Sequence, residues 1–82
     1  MEIVLSKRAT KALEGLDGPT RYRIKQGMLG IPKGDIKPLL GHSDGRQRLR
    51  IGKYRIVFCY MVENNEEMLY IMDIGSRGDI YK

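Results

Sequence analysis

At Arg46 the chain changes its hydrophobic period, and that change constrains the fold more than any other feature. Upstream, Ala9, Ala12, Leu13 and Leu16 recur at i, i+3, i+4 and i+7, which puts them on one face of a helix. Downstream, Arg46, Arg48 and Arg50 alternate with Gln47, Leu49 and Ile51, the pattern of a strand with one wet and one buried face. The punctuation divides the rest. Glu2 to Ser6 alternates and is β-branched, so it predicts a first strand, with Ser6 placed to cap a helix from Lys7. Asp17-Gly18 ends that helix, and Pro19 suits the first position of a second one carrying Tyr22, Ile24, Met28 and Leu29. Gly27 inside it costs about 1 kcal/mol relative to Ala. From Ile31 to Gly45, prolines, glycines, aspartates and the single histidine predict a loop, pinned by Ile36, Leu39 and Leu40.

Gly52-Lys53 has the glycine-first order of a hairpin turn. Tyr54 to Val62 is apolar on both faces apart from Arg55, which suits a central strand with Cys59 in the core. Glu63 to Glu66 is a polar turn, Met68 to Ile74 a further strand, Gly75 to Asp79 a flexible loop, and Ile80-Tyr81 a candidate last short strand. Together these predict an α+β fold in one domain spanning 1–82. An N-terminal strand and a two-helix hairpin precede a three- to four-stranded antiparallel sheet, with both helices on one face.

Size and charge bound the function. With 82 residues, the chain buries only about 60–65% of the surface its unfolded form exposes, so its core is thin. No apolar run approaches the roughly 20 residues that span a bilayer. The first residues lack a basic segment followed by a long apolar one, so no signal peptide is expected. One cysteine excludes an internal disulfide, and with the absent signal it points to the cytoplasm. One cysteine and one histidine are too few soft ligands for zinc, so a metal-free chemistry with no cofactor is expected. Fifteen Lys and Arg against ten Asp and Glu give a net charge of +5, which favours an anionic partner, nucleic acid before membrane.

The distribution of that charge says more. Residues 46 to 55 hold five basic side chains, Arg46, Arg48, Arg50, Lys53 and Arg55, and no acidic one. Strand geometry lines up Arg46, Arg48 and Arg50, and a tight hairpin brings Arg55 back towards them. Two readings stand at this point: a solvated outer sheet face, or a surface that holds phosphate through bidentate guanidinium contacts.

The stretch Arg48-Leu49-Arg50-Ile51-Gly52-Lys53-Tyr54-Arg55-Ile56-Val57-Phe58, followed by Ile74-Gly75-Ser76-Arg77-Gly78-Asp79-Ile80-Tyr81, resembles the RelE/ParE toxin superfamily. Gly34 to Gly41 has the look of that family's loop before the arginine-rich strand. The resemblance covers essentially the whole chain. It implies a toxin that enters the ribosomal A site and cuts mRNA, with the ribose 2′-hydroxyl attacking the adjacent phosphodiester to leave a 2′,3′-cyclic phosphate. It also implies a RelB-like antitoxin, whose acidic segment folds over the basic surface to give a hetero-oligomer.

Matched position by position, Arg55 falls at the family's phosphate-stabilising arginine and Arg77 at the arginine of the leaving group. Tyr81 falls at the late tyrosine that stacks on or orients a base. Arg46 and Arg48 stand where RelE has lysines, and Arg50 and Lys53 extend the phosphate-binding row. That is a departure, because arginine stays protonated and is a poor proton acceptor. The base is unassigned: a more distant group such as His42 or Asp79 serves, or the arginine-rich site lowers the pKa of the nucleophile electrostatically, or the protein cuts slowly.

Plainer readings accompany each residue: Arg55 paired with Glu66 or Asp73, Arg77 solvated, Tyr81 a frayed end, His42 a solvated loop histidine. Met61, Met68, Met72 and Tyr70 read as core or as antitoxin-facing surface. Arg55→Ala or Arg77→Ala is expected to abolish growth arrest with the fold intact, since exposed charges usually contribute within about 0.5 kcal/mol. Two other functions compete with the endonuclease: a ParE-like inhibitor of DNA gyrase that cuts nothing, and a degenerate, non-catalytic RNA- or ribosome-binding module.

Overall fold

The computed structural model describes residues 2–31, 33–39 and 45–76. Strand β1 (Glu2–Leu5) leads through Ser6 into helix α1 (Lys7–Glu14). The Ser6 Oγ accepts from the Ala9 N–H at 3.0 Å and donates to the Met72 carbonyl at 2.8 Å, so one side chain caps the helix and ties it to the sheet. The helix ends earlier than expected, at Gly15. Asp17 does not terminate it but caps helix α2 (Gly18–Leu29), accepting from the Thr20 N–H at 3.2 Å, with Pro19 in the first turn. Arg21 reaches back across the junction, donating from Nε to the Leu13 carbonyl at 3.3 Å and from Nη2 to the Leu16 carbonyl at 2.8 Å. It satisfies carbonyls that the end of α1 leaves without helical partners.

Gly27 has a packing reason to be glycine. A Cβ there would collide with Ile51 Cδ1 and meet Leu49 Cδ2 at 3.6 Å, so the bare backbone lets α2 settle onto the sheet.

Four strands follow: β2 (Asp35–Pro38), β3 (Gln47–Ile51), β4 (Tyr54–Glu63) and β5 (Glu66–Ser76). The sheet has five strands in the order β1-β5-β4-β3-β2. From β2 to β5 it is antiparallel, as expected, but β1 joins β5 in parallel, so the sheet is mixed. A strand that leaves through a helical layer is free to pair in this way. Strand β2 lies within the segment expected to be loop. It pairs Ile36 with Leu49, and Pro38 closes this edge strand, where a missing N–H is tolerated. The expected strand at Ile80-Tyr81 and the anchor Leu40 lie outside the described residues.

Gly52 takes the positive φ of the β3–β4 turn (57°), and Asn64 and Asn65 take those of the β4–β5 turn (53° and 64°). Within the β4–β5 pair the register shifts after Val57. Val57 faces Asp73 and Phe58 faces Ile71, leaving Met72 as the extra residue of a bulge.

The core lies between the helices and one face of the sheet, built on Ala9, Leu13, Ile24, Met28, Leu49, Ile56, Phe58, Leu69 and Ile71. Strand β4 is buried on both faces only as far as Phe58, where its pairing with β3 ends. Beyond it Tyr60, Met61 and Val62 are exposed, and Cys59 is half-buried instead of core, which corrects the expectation for this strand. Among the described residues no helix is long and apolar enough to cross a membrane.

Candidate nucleic-acid interface

Antiparallel partners share a face of the sheet, so register alone assembles the site. Arg48 stands opposite Lys37 on one side and Val57 on the other, and Arg50 stands between Asp35 and Arg55. All of these alternate with the core residues Leu49 and Ile56 and so belong to the face turned away from the helices. Arg46 stands just before β3, and its carbonyl accepts from the Leu39 N–H at 3.0 Å.

The arginines differ in burial. The Arg48 side chain is 11% exposed, Arg46 and Arg55 are half-buried with Nε shielded from solvent in both, and Arg50 is exposed. Val57, on the same face, is 4% exposed, so the arginine side chains around it form a cover. The expectation that Arg55→Ala removes only an exposed charge is therefore corrected. Nε and Nη1 of Arg55 are both out of solvent, and truncation removes packing as well as charge.

Arg48 is held in place. Its Nη1 donates to the Asp35 carbonyl at 3.1 Å and lies 3.5 Å from the Asp35 carboxylate, which is half exposed. Asp35 went unnoticed in the sequence because its link to Arg48 depends on the pairing of β2 with β3, thirteen residues apart. The short alternation Asp35-Ile36-Lys37 was the only available signal.

The plainer reading of Arg55 names two carboxylates, Asp73 and Glu66. Asp73 forms an ion pair with Arg8 at 3.3 Å and accepts from the Ile74 N–H at 2.9 Å. Glu66 faces Glu63 at the far end of the β4–β5 hairpin.

Arg50 and Arg55 are direct cross-strand partners. Like charges in that position disfavour the pairing by about 0.2–1 kcal/mol. Lys53 lies over an aromatic ring, with its Nζ 5.4 Å from the centre of Tyr54, which packs on the core. Strand β5 ends at Ser76, opposite Tyr54 and one position beyond Gly75, the partner of Arg55. Arg77 and Tyr81, and the proton-acceptor candidates His42 and Asp79, lie outside the described residues.

No protein-family model and no curated protein sequence matches the chain. Solved structures do. A chain of the RelB–RelE antitoxin–toxin complex from Methanococcus jannaschii is 27% identical with a TM-score of 0.70, over 95% of this chain and 94% of that one. The archaeal RelE–RelB complex from Pyrococcus horikoshii gives 24% identity and a TM-score of 0.67, over 95% and 96%. The YoeB/ParE toxin from Agrobacterium tumefaciens gives 17% identity and a TM-score of 0.77, over 94% and 99%; these last two are likenesses of fold alone. Both members of every pair are matched over nearly their full length, and the chain belongs to the RelE/ParE superfamily.

Proposed function

We propose that this chain is the toxin of a type II toxin–antitoxin pair, and that its arginine face holds a scissile phosphate of mRNA in the ribosomal A site. The observation that carries the reading is the direct opposition of Arg50 and Arg55 beside the nearly buried Arg48. The two directly opposed guanidinium groups repel each other, and a phosphate held between them offsets that repulsion through paired hydrogen bonds.

In the proposed reaction the ribose 2′-oxygen forms a bond to phosphorus and the bond from phosphorus to the 5′-oxygen breaks. The products are a 2′,3′-cyclic phosphate and a free 5′-hydroxyl. Arg48 and Arg55 stabilise the added negative charge on the phosphorane. Arg77 supplies charge or a proton to the leaving oxygen, and Tyr81 stacks on a base. Arg46, Arg50 and Lys53 contact the RNA backbone.

The 2′-hydroxyl proton needs an acceptor that no arginine provides. Asp35 is the carboxylate the described part of this site offers, half exposed and beside Arg48. His42 and Asp79 remain the other candidates for base. A RelB-like antitoxin, by analogy with the M. jannaschii and P. horikoshii complexes, covers the basic face with an acidic segment. The work is that of a cytoplasmic protein.

The test is induction of the protein in cells with mapping of mRNA 5′ ends. Ribosome-dependent cuts within codons are expected, absent in Arg77→Ala and in Arg55→Lys, a change that keeps charge and stem but loses the bidentate fork. Intact mRNA with DNA damage would instead assign the gyrase-inhibitor function, which the lack of a lysine base in the row favours. Intact mRNA and intact DNA with ribosome binding would leave the non-catalytic module.

A further inference from the structure

We infer that the free edge of β1 is a self-complementary surface, and that two copies of this chain pair there about a two-fold axis to form one continuous ten-stranded sheet. Three observations converge on it. The first is the backbone. Among the described residues β1 is the outermost strand, bonded only to β5. Ser6 donates its N–H to the Ile71 carbonyl, so alternation turns Glu2 and Val4 towards β5 and leaves the N–H and C=O groups of Ile3 and Leu5 facing the open edge. An antiparallel partner must place outward residues opposite outward residues. With Ile3 opposite Leu5 of a second copy, Val4 faces Val4 of that copy, and four backbone hydrogen bonds close symmetrically. The edge carries no proline or lysine, and Glu2 is its one charged residue.

The second observation is the helix above that edge. Leu5, Lys7, Thr10, Lys11 and Glu14 line an open groove of about 520 Å³. Lys7, Thr10, Lys11 and Glu14 are spaced i, i+3, i+4 and i+7, and all four are exposed. That stripe is centred between Thr10 and Lys11. A two-fold axis at its centre sets Lys7 against Glu14 of the other copy twice over and Thr10 against Lys11. A patch that meets itself in this way is what an isologous interface requires.

The third is that the axes called for by strand and helix fall within two strand residues of each other. Helix α1 starts beside Asp73, where Arg8 is paired, and runs back along β5. Its span of about 10 Å at 1.5 Å per residue covers about three strand residues at 3.3 Å each. Its midpoint therefore falls between Ile71, the β5 partner of Leu5, and Met72, while the strand axis at Val4 lies level with Tyr70. Ile3 and Leu5, half-buried in the single chain, become covered on both sides by their counterparts. The outer faces of both copies then point the same way, so two arginine rows lie on one surface.

Sedimentation equilibrium of the full chain over a concentration range from roughly micromolar to millimolar tests this. The wild type is expected to reach twice the monomer mass. Lys7→Glu and Glu14→Lys are each expected to weaken association about tenfold, since each turns both attractive pairs repulsive. The double variant restores the attraction and the dimer, and circular dichroism checks that each variant is folded. A wild type that stays monomeric throughout overturns the proposal. So does a dimer indifferent to the single reversals, or one that the double variant fails to recover. If the monomer instead shows Ile3 and Leu5 amide shifts on addition of an antitoxin, the edge belongs to that partner and the two-fold pairing is rejected.

Discussion

Arginine serves three different ends in this molecule. Arg21 is structural, closing the end of α1 by donating to its carbonyls. Arg8 anchors the helix start to Asp73. Arg50 and Arg55 oppose each other across β3 and β4, which sets two like charges side by side. Arg50→Gln is therefore expected to stabilise the fold by about 0.2–1 kcal/mol at low salt. Thermal denaturation should show that gain vanishing as salt screens the pair, and a filter-binding assay should show weaker RNA retention. A loss of stability at low salt would mean that Arg50 is held by favourable contacts. Asp35 tests the other side of the site. If its carboxylate takes the 2′-hydroxyl proton, Asp35→Asn lowers the cleavage rate by about 10²–10⁴-fold. RNA binding should hold or tighten, because a negative charge leaves the face. Unchanged cleavage by that variant would move the base to His42 or Asp79.

At the scale of elements, the helices and the strands from β3 onward were legible because each is long enough to repeat its period and is bounded by its own turn residues. Ser6, Pro19, Gly52 and the Asn64-Asn65 pair all act locally, and local chemistry can be read from a single chain. Strand β2 was not legible: four residues cannot establish an alternation, and its strand character comes from β3 beside it. The bulge at Met72 and the grip of Asp35 on Arg48 depend on register between distant segments, which no sequence window contains. The row Arg48-Arg50-Arg55 was legible in the sequence, while its graded burial was not.

Two predictions belong to this scale. Gly27→Ala should fail to deliver the roughly 1 kcal/mol that better helix propensity offers, because the new methyl meets Ile51. An unchanged or lower melting temperature is expected, and a clear rise would show that Ile51 yields freely. Asp17 is held below the usual carboxylate range by the Thr20 hydroxyl and N–H hydrogen bonds. A depressed folded-state pKa contributes stability that is present above the unfolded value and lost as pH falls through the folded one. Asp17→Ala should therefore lower the melting temperature more at pH 7 than at pH 3.

For the whole molecule, a thin core beside a like-charged surface makes stability depend on what the surface holds. Inorganic phosphate should raise the melting temperature, with the shift following the logarithm of its concentration above the dissociation constant. An equal rise from chloride at matched ionic strength would reduce this to general screening. The parallel docking of β1 on β5 has a further result, one of timing. The first strand to be synthesised finds its hydrogen-bonding neighbour only when residues 68–71 exist, and Ser6 bonds to Met72 across 66 positions. Contacts so remote along the chain form late and slowly. A nascent copy thus leaves most of its synthesis behind before its sheet can close, an interval in which another newly made protein has time to reach it.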